Sequence, residues 1–159
     1  MDVRLTDDGT PVIEGLTATC LEALNSAQHL LLDARRGVSA LVIHGGRIDS
    51  TLIDKYQFAV HGYAWMATYV SALQQTLVWA EKLEEDGKLG ELESLILQAA
   101  FGEYLAQIAG GISMSQGEVV RPRDMNISDE ALAAFAEREV AMLIRHGNTP
   151  VVRARIAEL

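Results

Sequence analysis

Cysteine is all but missing from this chain. Cys20 stands alone, so no internal disulfide can form, and a reducing, cytoplasmic setting is the expectation. Its place on an apolar helical pattern reads as core packing rather than reactivity. Proline occurs only three times in 159 residues, which leaves helices few breakers. Positive charge is in deficit: 13 Lys+Arg against 22 Asp+Glu give a net charge of −9. That balance opposes binding to nucleic acid or to an anionic membrane surface, even with a local basic group at Arg121, Arg123, Arg145, Arg153 and Arg155. No apolar run approaches the roughly 18–20 residues of a membrane span. The opening residues, Met1-Asp2-Val3-Arg4-Leu5-Thr6-Asp7-Asp8, are acidic rather than a basic leader, so no signal peptide is expected.

Chemistry-bearing motifs are equally scarce. The residues three before His29, His44, His61 and His146 are Ser26, Leu41, Phe58 and Leu143, so no Glu-x-x-His step builds a di-iron site. Asp86-Gly87-Lys88 is too short for a calcium loop. No Gly-x-Ser-x-Gly elbow, dinucleotide fingerprint or phosphate loop occurs. His44-Gly45-Gly46 reads as ordinary turn chemistry. No catalytic or metal-ligating residue is assigned.

What is present is helical periodicity. Residues 1–15 read as an irregular arm with a turn at Asp8-Gly9-Thr10-Pro11, and 16–159 as a single helical domain. Cys20, Leu24, Ala27 and Leu31 recur at three- and four-residue steps, predicting a helix from Thr17 to Arg36 stopped by Gly37. Residues 38–46 read as a short strand or an apolar connector, and without a strand partner they are taken as a packed linker. Ser50 is the expected cap of the longest helix, which runs to about Glu85 and is apolar on several sides. After the turn at Asp86-Gly87-Lys88 a third helix spans about Gly90 to Ala109. Residues 110–127 form a long, ligand-sized loop. Ser128 caps a fourth helix that ends at Arg145-His146-Gly147, and Thr149-Pro150 starts a short fifth. The expected fold is all-α: an antiparallel bundle of about four main helices with one long loop.

Three local features suggest sites. Gly62, inside a strong helical pattern, costs roughly 1 kcal/mol against alanine and marks a close approach. Gly102 is a candidate for the other side of that crossing, while His61, Tyr63, Trp65, Tyr69 and Trp79 form either an aromatic core or a pocket. Glu93 and Glu103 are the third-helix carboxylates expected to be partly buried, as ion pairs or as a solvated face rather than as a base. Finally, Gln107 sits on the last helical turn before Gly110-Gly111, a pair that permits positive φ and bare backbone. Arg121 and Arg123 follow closely, either as an anion site or as a loop pinned by Arg–Asp pairs.

The segment Gln107-Ile108-Ala109-Gly110-Gly111 resembles the Gln-x-x-Gly-Gly stretch in the C-terminal helical domain of acyl-CoA dehydrogenases. The blocks Trp65-Met66-Ala67-Thr68-Tyr69-Val70 and Gly110-Gly111-Ile112-Ser113-Met114-Ser115-Gln116 are more specific. Across about residues 40–159 they resemble the N-terminal extension found in the methylsuccinyl-CoA dehydrogenase subgroup of that family. The resemblance implies FAD as cofactor, contacted by Gln107, Gly110, Gly111, Arg121 and Arg123 but held mainly by another domain or chain. It also implies an acyl-CoA dehydrogenase catalytic domain or chain as partner, with a homo-oligomer as a further option. Ser113 departs from the family motif, which carries a further glycine there. The β-domain and glutamate base of active members do not fit in so short and β-poor a chain. The expected function is therefore an accessory, non-catalytic helical domain of an oxidoreductase, supporting assembly or closing the acyl-CoA/FAD site. The alternatives are a stand-alone acyl-CoA or nucleotide binding module and a helical protein-interaction domain.

Overall fold

The computed structural model describes residues 10–159, so residues 1–9 of the arm at 1–15, and half of its turn, lie outside the described residues. From there the chain forms seven α-helices and two minimal hairpins, the all-α bundle that the periodicity implies. The long helices are α1 (Leu16–Val42), α3 (Gln57–Glu85) and α4 (Glu91–Gly110). Around them lie α2 (Ser50–Lys55), α5 (Asp129–Phe135), α6 (Arg138–His146) and α7 (Pro150–Glu158). One continuous core joins α1, α3, α4 and α6, with Cys20, Ala34, Met66, Leu73, Leu97, Phe101, Leu105 and Leu143 fully enclosed. Cys20 is packed as expected, and burial pushes its thiol well above the ordinary cysteine range.

Several helix boundaries differ from the sequence expectation, each for a physical reason. Helix α1 passes straight through Gly37 to Val42. Gly37 is a contact rather than a stop: a Cβ there would run into the Met125 carbonyl oxygen and lie 2.9 Å from Asn126 Cβ. Residues 38–46 are not a packed linker either. Their end folds into an antiparallel pair, β1 (Ile43–His44) and β2 (Arg47–Ile48), around Gly45 and Gly46 at φ +57° and +76°. A lone apolar run finds its strand partner locally once two glycines supply a hairpin turn.

Asp49, not Ser50, caps the next helix, its carboxylate accepting from the Thr51 and Leu52 amides at 2.8 and 3.3 Å. The expected single helix from 50 to 85 is interrupted at Tyr56, whose backbone at φ −107° and ψ +24° leaves the helical region, and α2 buries no residue. The expected fourth helix likewise divides at Ala136–Glu137. Phe135 and Val140 are both buried, yet at about 100° per residue they would face roughly 140° apart on one straight helix. The break brings both inward, with Arg138 taking φ +45°.

α4 ends as the paired glycines imply. Gly111 adopts φ +139° and donates its amide to the Gln107 carbonyl at 2.8 Å. The loop beyond is not open. Strands β3 (Ile112–Ser113) and β4 (Val119–Val120) pair antiparallel, and a 3-10 turn follows at Pro122–Met125. Ile112, Val120, Pro122, Met125 and Ile127 are all buried.

Nor do Gly62 and Gly102 share a crossing. Gly62 lies under the Val120 side chain, so its lost Cβ makes room for β4. Gly102 faces α6, where a Cβ would sit 2.8 Å from the Asn148 amide nitrogen and 2.9 Å from the Leu143 carbonyl oxygen. Across the same contact, a Cβ on Gly147 would lie 3.0 Å from Gly102 Cα. Gly147 itself takes helical angles, so it serves the crossing rather than a left-handed stop. Near the N-terminal end of α4, Gln98 is the one buried polar side chain among the described residues. It accepts from the Ile13 amide at 2.8 Å and donates to the Pro11 carbonyl at 2.9 Å, strapping residues 11–13 onto the bundle.

Backbone atoms cannot move aside as flexible side-chain ends can, so Gly102→Ala is expected to cost about 1–3 kcal/mol. Gly110→Ala, with nothing within 4 Å of the added methyl, is expected to be neutral or slightly stabilising. Urea unfolding of the two variants checks the contrast.

Candidate functional site

The last two turns of α4 place Gln107 opposite Tyr69 of α3. The Tyr69 hydroxyl donates to Gln107 Oε1 at 2.8 Å, and Gln107 Nε2 donates to Glu103 Oε1 at 2.7 Å. The second Glu103 oxygen accepts from Asn148 Nδ2 at 2.9 Å. Arg153 Nη1 then donates to the Asn148 carbonyl and to its Oδ1, at 2.7 and 3.0 Å. A polar chain thus runs from α3 across α4 to the start of α7. Both polar ends of the Gln107 side chain are engaged within it. Glu103 is exposed rather than partly buried; one oxygen accepts from Gln107 one turn on in α4 and the other from Asn148 in the turn between α6 and α7.

Aromatic rings extend this line along α3. Tyr69 lies against Tyr104 with ring centroids 4.7 Å apart, and Trp65 meets Tyr69 edge-on at 6.2 Å. Trp65 Nε1 donates to His61 Nε2 at 3.0 Å, one turn back. Of the five residues expected as either core or pocket, His61, Trp65 and Tyr69 form this line, with Tyr63, Trp65 and Tyr69 partly buried against the core and Trp79 exposed. Burial, with the neighbouring Tyr104 and Glu103, pushes the Tyr69 hydroxyl above the usual tyrosine range.

Of the residues read as cofactor contacts, the fold brings four together. Gln107, Gly110 and Gly111 close α4, and Arg121, just after β4, lies alongside, with its Cγ 3.4 Å from a Cβ placed on Gly111. Arg123 lies farther along, on the 3-10 turn whose end packs over Gly37 of α1. Asp124 does not pair with either guanidinium. Its Oδ2 accepts from the Arg121 backbone amide at 2.7 Å, which closes the turn and leaves both arginine side chains exposed. Among the described residues neither forms an ion pair.

Sequence reasoning did not foresee the anchor of α7. Arg155 makes a two-pronged contact with Glu91, Nε to Oε1 and Nη2 to Oε2, both at 2.7 Å. These residues are 64 positions apart, so no local spacing signals the pair. Among the described residues no helix is long and apolar enough to cross a membrane.

No family model matches the chain. Its sequence is nonetheless similar to a part of an enzyme of the acyl-CoA dehydrogenase family. That protein is (2S)-methylsuccinyl-CoA dehydrogenase of Cereibacter sphaeroides, to which the chain is 42% identical over 151 residues, 95% of its own length. It spans only 27% of that relative. That relative is of the subgroup that the Trp65–Val70 and Gly110–Gln116 blocks resemble.

If the Tyr69–Gln107 contact binds α3 to α4, Tyr69→Phe and Gln107→Leu should each destabilise the fold, and a double-mutant cycle should give a coupling of about 1 kcal/mol. The raised Tyr69 pKa carries a sign. Its stabilising share is whole below the unfolded tyrosine value near 10 and is lost as pH rises toward the higher folded value. The stability advantage of wild type over Tyr69→Phe should therefore be full at neutral pH and shrink as pH rises above about 10, as paired urea titrations at several pH values would read.

Proposed function

We propose that this chain is an accessory helical domain of an FAD-dependent acyl-CoA dehydrogenase of the methylsuccinyl-CoA dehydrogenase kind. In this reading it corresponds to the N-terminal extension, packs against the catalytic part, and supports its assembly or the closure of its acyl-CoA/FAD site. The match to a quarter of a much longer enzyme, over nearly all of this chain, carries the proposal. The geometry adds support. Gln107, the flavin-contact residue of the resemblance, spends its side chain on Tyr69 and Glu103 and so braces the bundle. FAD would be held mainly elsewhere, with this chain offering the bare Gly110–Gly111 end and the Arg121 guanidinium to a phosphate or carboxylate at the edge of the site.

That last contact also favours the second reading, a stand-alone acyl-CoA or nucleotide binding module. The two readings part in a simple assay. The isolated chain, incubated with FAD and (2S)-methylsuccinyl-CoA, should retain no stoichiometric flavin and should reduce no dye acceptor. Its melting temperature should shift by less than a degree or so with FAD or CoA esters. One-to-one flavin retention with turnover would contradict the accessory reading. A ligand-specific melting shift abolished by Arg121→Ala would favour the binding module.

A further inference from the structure

The middle of α3 has an unusual surface. From Gln57 to Ala80 it holds no Asp, Glu, Lys or Arg, in a chain whose composition is 22% charged. Charge returns only at the end of the helix, with Glu81, Lys82, Glu84 and Glu85. Burial does not account for this, because one face of α3 is open to solvent. Ala64, Thr68, Ser71, Gln75 and Trp79 recur at three- and four-residue steps along it, and all five are exposed. Exposed stretches of α1, α6 and α7 carry charges in the ordinary way, among them Arg35, Arg36, Arg145 and Arg153.

The shape of that face is as specific as its polarity. Ala67, Thr68, Ser71, Ala72 and Gln75 line a shallow groove at mid-helix. Bulky apolar groups, Val78 and Trp79, stand toward one end. Ile96, on α4, is another exposed apolar side chain. Small side chains at the centre let a second helix approach to about 8–10 Å between axes, where side-chain ridges fit grooves. Charge depleted at the centre with aromatic residues retained is the composition of a buried interface core.

We infer that this uncharged α3 face is the docking surface for the catalytic part of an acyl-CoA dehydrogenase, received through an equally uncharged helical surface. The inference rests on the reading under Proposed function and names the face that reading needs. The occupant follows from the comparison. The relative that contains this sequence at 42% identity carries nearly three quarters of its length outside the match. A domain tethered in one polypeptide meets its remainder at high effective concentration, well before a second copy of itself. A helical partner lacking charge opposite α3 leaves no ion desolvated in the contact.

The test uses a chimera in which this chain replaces the matching 151 residues of the Cereibacter sphaeroides enzyme. Cys20 is fully buried with its thiol held protonated, so introduced cysteines report by peptide mass spectrometry without interference from it. Ser71→Cys, and Thr68→Cys as a repeat on the same face, should react quickly with maleimide in the isolated 159-residue chain and at least tenfold more slowly in the chimera. Asn25→Cys, on the exposed side of α1, should react equally fast in both. Protection at Asn25→Cys with Ser71→Cys still open would overturn the α3 assignment while leaving the accessory role standing. Equal reactivity of every site in chain and chimera would overturn the inference and the accessory role together. Slow labelling of Ser71→Cys in the isolated chain, with sedimentation showing a dimer, would overturn the occupant in favour of a second copy.

Discussion

Where α4 crosses α6, two backbones touch and no side chain fits between them. Gly102 and Gly147 are the two residues that allow it, and much else follows from their contact. It seats α6 on α4 and so fixes the entry to α7. Asn148 is thereby brought to Glu103, and the polar chain from Tyr69 to Arg153 becomes possible. At the other end of α4, Glu91 takes Arg155 and holds α7 against the bundle. α4 is thus joined to its neighbours at both ends by polar contacts and in the middle by bare backbone. The interior between them is filled by Leu97, Phe101 and Leu105.

Glycine does similar work at two further places, both against the segment after α4. Gly37 admits the Met125–Asn126 backbone to α1, and Gly62 admits Val120 to α3. The loop from 110 to 127 is therefore packed at two points, which explains why five of its apolar side chains are buried. Arg121 and the Gly110–Gly111 end are held on a firm base rather than on a mobile strand.

Much of this was legible in the residues. The all-α class, the end of α4 at the glycine pair, the Ser128 cap and the Pro150 start all follow from local rules, because each depends on groups within a few positions. The failures share one cause. Gly37 carries the local signature of a stop, yet what it provides is room for a partner distant in sequence; Gly147 does end α6 as expected and gives such room as well. The division at Ala136–Glu137 similarly answers a tertiary demand to bury both Phe135 and Val140. At the site, the nearness of Arg121 to Gly111 could be expected from a short return strand. The engagement of Gln107 by Tyr69, 38 residues earlier, could not.

The proposed role joins these features to one requirement: a rigid bundle with an uncharged outer face, made to be covered by a flavin dehydrogenase rather than to oxidise anything itself. The most direct measurement takes the Cereibacter sphaeroides enzyme with its matching quarter removed and adds this chain back in trans. Bound FAD and thermal stability are then followed. The account predicts that the truncated enzyme loses flavin and melts several degrees lower, and that the added chain restores both. A truncated enzyme that keeps its FAD and its melting temperature, unmoved by the added chain, would contradict it.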